Sequence, residues 1–210
     1  MSSTTPITTS TTKQDRKGLA KSNYQKDSED GVNQIINSTL DVCDGLLSMV
    51  YYFKRVDNSE YGFADFYDDL SKEYYWLSRS LMDYQIVRGG HVQLVDLKPI
   101  ERTMEWNTGI ESLNHVLERL KNLNLKFHEL HKLAKNNNDP CLTNFIEHHF
   151  ISKAVNDILR VSNKITKFNR VGTSGLGQYV ADRDLQLMVE GELEDIGSTE
   201  TDEEELIPNL

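Results

Sequence analysis

Four carboxylates, Asp65, Asp68, Asp69 and Glu73, stand at i, i+3, i+4 and i+8, a spacing that lays them along one stripe of a helix. Hard oxygen donors in such a row attract cations and can gather metal ions, although the bare pattern is equally that of a solvated helix face. Two histidine pairs, His128 with His131 at i, i+3 and the adjacent His148 and His149, could supply imidazole for a displaced metal site. A pair without a third ligand is ordinarily solvated surface. Glu147, three residues after Asn144, opens a helical stretch where the helix dipole favours a carboxylate. Arg88-Gly89-Gly90 occurs once, after a helical pattern, so it is a helix cap rather than an RNA-binding repeat.

These groups need helices to hold them. From Asp27-Ser28-Glu29-Asp30, apolar residues recur at Val32, Ile36, Leu40, Cys43, Leu47 and Val50, the threes-and-fours spacing of one long amphipathic helix. Asp57-Asn58-Ser59 breaks it. A second helix carries Phe63, Phe66, Leu70, Tyr74, Leu77, Leu81 and Tyr84 before the two glycines. His91 to Pro99 alternates apolar residues and ends in Pro, which suits an extended crossing. Ile110, Leu113, Leu117, Leu120, Phe127 and Leu130 mark a third helix. Phe145, Ile146, Val155, Ile158, Leu159, Ile165 and Phe168 mark a fourth, and Leu176 to Leu187 forms a short fifth. The pattern predicts an all-α protein, a four-helix bundle with one long crossover and a short fifth helix.

Composition narrows the function. Of the net charge of −10, nine acids lie between Glu190 and Glu205, so residues 1–189 are near −1. A body without a basic stripe is no partner for nucleic acid. No apolar run approaches the roughly 20 residues that span a membrane. Two cysteines, Cys43 and Cys141, make no disulfide framework and fit a reducing compartment. Residues 1–23 are Ser/Thr-rich and basic, with too few apolar residues for an amphipathic face, and read as a disordered arm; a mitochondrial targeting peptide is the lesser alternative to a cytoplasmic protein. Residues 24–187 form the domain and 188–210 an acidic disordered tail. Low in apolar residues and rich in one charge, the tail cannot fold by itself.

Asn23-Tyr24 with Asp27-Ser28-Glu29, Tyr51-Tyr52-Phe53, Gln85 to Gly90, Glu129 to Ala134, Asn138-Asp139-Pro140, Phe145-Ile146-Glu147, and Ser174-Gly175-Leu176 with Tyr179 follow one another in an order that resembles eukaryotic ferritin. The resemblance implies a ferritin-like bundle. A catalytic ferritin subunit is similar but has five inward ligands: Glu on the first helix, Glu-x-x-His on the second, Glu on the third and Gln on the fourth. The matching positions here are Thr39, Tyr74, Leu77, Leu120 and Ala154. None is a carboxylate or an imidazole, the donors that hold iron at about 2.0–2.2 Å. Glu73 is one residue from the missing Glu, and one helical step turns it about 100° away.

The resemblance therefore implies a light-chain-like, non-catalytic subunit. It would join a catalytic ferritin chain in a shell of twenty-four subunits holding iron as a stored mineral. Asp65, Asp68, Asp69 and Glu73 would nucleate that mineral on the cavity face, weakened by Lys72. Asn144 and Glu147 match the acidic pair of the threefold entry channel, with one acid become an amide. The rival readings are a ferroxidase with a displaced site and a ferritin-like cage repurposed as a chaperone.

Overall fold

In the computed structural model the described residues are 19–95, 105–106, 108–172 and 175–197, with only the backbone given for 188–197. Residues 1–18, the crossing at 96–104 and the tail beyond 197, including most of the expected arm, lie outside them. Helix α1 (Lys26–Phe53) and helix α2 (Tyr61–Val87) form a hairpin. Helix α3 (Gly109–Asn136) leads into a fourth long helix made of α4 (Pro140–Ile146), a π turn (Glu147–Ile151) and α5 (Ser152–Val171), and α6 (Leu176–Gly197) follows. α1 packs on α2 and α3, α3 on α5, and α6 chiefly on α2. This is the all-α four-helix bundle with crossover and added helix that the periodicity predicts.

Two expected limits shift. Residues 19–23 are not a loose arm: the Lys21 ammonium pairs with Glu29 at 2.6 Å and the Asn23 amide donates to the Asn138 carbonyl at 3.0 Å. The fifth helix does not stop at Leu187 but continues to Gly197. Leu185, Met188, Val189, Leu193 and Ile196 keep the helical spacing, and the glutamates between them are good helix formers.

The ends of the bundle are closed by residues that can adopt a left-handed backbone. Gly89 has φ 75°, and the Gly89 and Gly90 amides donate back to the Ile86 and Gln85 carbonyls at 2.9 and 2.8 Å. Asn138, at φ 51°, closes α3 in the same way, with Asn138 and Asp139 donating to Lys135 and Ala134. A side chain at Gly89 would place its Cβ 2.8 Å from the Lys21 nitrogen, because the entering chain crosses there.

Arg88 joins these ends. Its guanidinium donates to both carboxylate oxygens of Asp139, at 3.1 and 2.9 Å, to the Ser22 and Asn23 carbonyls, and to the Tyr84 hydroxyl. It also lies 4.6 Å from the centre of the Tyr24 ring. Asp139 in turn caps α4 by accepting from the Leu142 amide at 3.0 Å. The Tyr24 hydroxyl donates to Gln85 alongside.

The crossing is fastened to α1 by its side chains. Glu29 accepts from the His91 amide, Asn33 accepts from Gln93 and donates to the His91 carbonyl, and Asn37 accepts from Val95 and donates to the Gln93 carbonyl, all at 2.8–3.0 Å. Alternate residues of the extended strand thus meet successive turns of the helix.

Far from these ends, aromatic rings fill the other pole of the bundle. Phe53 stacks on Phe63 at 5.4 Å and lies 6.3 Å from Trp106, and Phe168 meets Phe63 edge-on at 6.1 Å. Asp182 of α6 accepts from the Phe63 amide at 3.0 Å, so α6 supplies the cap that Glu60, the residue before α2, does not provide.

The Arg88–Asp139 side chains are only 10% and 1% exposed, and removing one partner strands the other charge. Arg88→Ala is expected to reduce unfolding free energy by about 3–5 kcal/mol, and Arg88→Lys by less, since it keeps the charge without the fork. Urea unfolding that places Arg88→Ala within about 1 kcal/mol of the wild type would show that the pair does not anchor the bundle.

Candidate metal centre

Each of the four long helices sends one matching position inward. Thr39 on α1, Tyr74 on α2, Leu120 on α3 and Ala154 on α5 are all 0–1% exposed, and Leu77 packs partly buried against the same core. The oxygen atoms among them are already engaged. The Thr39 hydroxyl donates to the Ile35 carbonyl of its own helix at 2.9 Å. The Tyr74 hydroxyl donates to Asp157 of α5 at 2.9 Å.

Asp157, which the apolar periodicity does not reveal, is 4% exposed. Burial pushes its carboxyl pKa above the ordinary range, and Lys153 and the Tyr74 hydroxyl pull it only part of the way back. Lys153 lies 3.1 Å from Asp157 and also meets Glu73, whose other oxygen accepts from Arg160 at 2.9 Å. A Tyr–Asp–Lys–Glu–Arg network therefore ties α2 to α5. Glu73 faces this network from α2. Burial and the nearby Asp157 raise the Tyr74 phenol well above its usual pKa, which keeps it a neutral donor.

The fourth helix buries Ile146, Ile165 and Phe168 and packs Phe145 and Ile158 on the core as its spacing predicts, but two of its apolar residues turn outward. Ala154, Asp157, Val161, Lys164 and Phe168 are buried, whereas Val155 and Leu159 are more than half exposed. The π turn explains the change: the Ser152 amide reaches back five residues to the Glu147 carbonyl, and that wider turn shifts the phase of everything after it. Lys164 covers the Phe66 ring at 4.8 Å, so its stem packs in the core while its charge sits on an aromatic face.

The carboxylate stripe is not bare. Lys54 lies 4.0 Å from Asp65, Lys72 lies 2.8 Å from Asp68 and 3.8 Å from Asp69, and Glu73 holds Lys153 and Arg160. At the other location, Glu147 and Asn144 are both exposed. The His131 ring nitrogen meets Glu147 at 2.5 Å and Lys135 lies 3.7 Å away. The His131 hydrogen bond lowers the Glu147 pKa. His131 thus faces Glu147, sixteen residues on. His148 and His149 are exposed on the π turn, and the His149 ring lies 5.3 Å from Phe145. Among the described residues no group of three or more His, Cys, Asp and Glu is placed to hold one metal ion.

A ferritin-like domain model matches residues 29–171. The chain belongs to the ferritin family. It is similar to a soma ferritin from Lymnaea stagnalis, 38% identical over 165 residues that cover 79% of this chain and 94% of that protein. The five inward positions carry a hydroxyl, a phenol and three apolar side chains. Among the described residues no helix is long and apolar enough to cross a membrane.

The raised Asp157 pKa fixes the sign of a pH effect. Between the ordinary value of 3.8 and the raised folded value, the native state binds more protons than the unfolded state, so this group's contribution to stability falls as pH rises through that window. Asp157→Asn keeps an oxygen for Tyr74 and does not titrate. The melting temperature of wild type minus variant is expected to be largest near about pH 4 and to shrink toward neutrality. A difference that does not change with pH would remove Asp157 as a titrating group. Tyr74→Phe, which leaves the buried carboxylate one donor short, is expected to lower stability by about 1–3 kcal/mol in the same melts.

Proposed function

We propose that this chain is a non-catalytic ferritin subunit. Membership of the family makes iron storage its general role, with iron as cargo. The reading rests on one observation: the level of the bundle where a ferroxidase centre would hold two hard cations contains no available carboxylate or imidazole. Its polar atoms are bonded within the protein. Burying unpaired carboxylates is costly, and a Tyr–Asp pair with a lysine beside it makes the core independent of metal.

Such a subunit would supply shell structure and mineral surface in a mixed shell of twenty-four, beside a ferroxidase-competent chain, in the cytoplasm. The stripe of Asp65, Asp68, Asp69 and Glu73 would meet incoming iron only by exchanging Lys54, Lys72, Lys153 and Arg160 for it. It is a tempered nucleation surface. Glu147 with Asn144 would line an entry channel in which His131 and Lys135 share the carboxylate.

Ferrous iron added in air to shells of this chain alone should oxidise no faster than in buffer; faster oxidation would return the reading to a ferroxidase with a displaced site. Restoring Thr39→Glu, Tyr74→Glu, Leu77→His, Leu120→Glu and Ala154→Gln together should produce oxidation above that baseline and an apo form that melts lower, since three carboxylates would then be buried without metal.

In mixed shells, changing Asp65, Asp68, Asp69 and Glu73 to Ala should slow mineral growth while initial oxidation stays the same, and Lys72→Ala should speed it. Equal growth in all three would reduce the stripe to a solvated face.

A further inference from the structure

The exposed face of α2 changes character one turn beyond the carboxylate stripe. Tyr75 and Trp76 are 44% and 64% exposed, large rings left open on a long helix. Arg79 spreads its guanidinium over both, 5.9 Å from the centre of Tyr75 and 5.5 Å from that of Trp76. The two rings meet edge to face at 5.9 Å. Asp83 lies at i+4 from Arg79, the spacing of a helical ion pair, yet no acid among the described residues lies within ion-pair distance of Arg79. The face is a cation over two aromatic rings, with no acid among the described residues paired to it.

We propose that this face is a docking site for the chain's own acidic segment, residues 198–210. The complementarity is in both charge and shape. The segment carries Glu200, Asp202, Glu203, Glu204 and Glu205 with no lysine or arginine, and Leu206-Ile207 follow directly. Carboxylates would take the open edge of the Arg79 guanidinium, and the two apolar residues would cover the Tyr75 and Trp76 rings. A planar guanidinium already fixed on aromatic faces loses little freedom on accepting a carboxylate.

The geometry allows it. Asp182 holds α6 against the first turn of α2. From there α6 runs about 22 Å to Gly197, and α2 runs about 20 Å to Trp76. The nine residues from Gly197 to Leu206 span about 30 Å when extended. With arms of about 22 and 20 Å, the far points stay within that reach for any angle between the two helices up to about 90°. The cations beside the carboxylate stripe, Lys72, Lys153 and Arg160, are already paired with its acids and offer the segment less than Arg79 does.

The test is acrylamide quenching of tryptophan fluorescence in the assembled, iron-free protein, so its outcome is independent of iron handling. Trp106, buried at 5% exposure, contributes a constant background that Trp76→Phe measures directly. Truncation after Gly197 is expected to raise the Trp76 quenching constant about twofold and shift its emission to the red, since a covered ring becomes solvated. Arg79→Glu in the full chain should do the same, and combined with the truncation should add nothing further. Arg79→Gln gives a second reading should the charge reversal disturb α2, as far-ultraviolet ellipticity would show. A synthetic peptide of residues 198–210 added to the truncated protein should restore protection, less so in high salt. Identical quenching of full-length and truncated protein overturns the proposal. So does protection that survives truncation and disappears on dilution, because the cover is then a second copy.

Discussion

The fold turns on one buried ion pair. Asp139 is almost wholly enclosed, caps α4, and would be intolerable there without Arg88. Arg88 would be equally misplaced without acceptors for its fork. It finds them in Asp139, in the Ser22 and Asn23 carbonyls and in Tyr84, and it rests on the Tyr24 ring. The entry to α1, the exit from α2 and the corner between α3 and α4 are therefore one assembly. A pair of antiparallel helices can slide by a turn with little change in apolar burial. A bidentate pair at one end forbids it, and the inward positions far down the bundle take their alignment from that end.

With that alignment fixed, the middle of the bundle meets a choice that every buried site faces. Carboxylates gathered in a core need cations, and a subunit that relies on metal for them is less stable when empty. Here a phenol donates to one buried carboxylate, a lysine balances it, and a second carboxylate nearer the surface bridges to an arginine. Protein cations balance these acids. The same pairing recurs on the stripe of α2 and at Glu147, where lysines and a histidine accompany the acids.

Much of this was legible from the chain. The lengths of the first three helices, the break at Ser59, the extended crossing and the glycine closure of α2 follow from local spacing and backbone preference, which act over a few residues. That Tyr74 and Leu120 face the core follows from the same spacing. Asp157 was not legible, because a buried acid looks like a surface acid until its partner is known, and Tyr74 is eighty-three residues away. On the fourth helix Ile146, Ile165 and Phe168 are buried as their spacing predicts, and only Val155 and Leu159 turn outward, because a π turn leaves no mark in apolar spacing. Arg88 read as part of a cap, and its glycines are one, but its side chain gathers partners from three separate parts of the chain.

The crossing strand and α1 are two rulers with different graduations. Four helical residues rise about 6.0 Å and two extended residues about 6.6 Å, so Glu29, Asn33 and Asn37 fall behind their strand partners by about 0.6 Å at each step. The hydrogen bonds absorb that error over the two described steps. The next graduation on the helix is Asp41, and it has turned to Arg119 of α3 instead, which donates to its carbonyl and its carboxylate at 2.7 and 3.0 Å. Between Gly90 and Val95 the register is fixed to the residue, and one inserted residue there would put every later rung out of step.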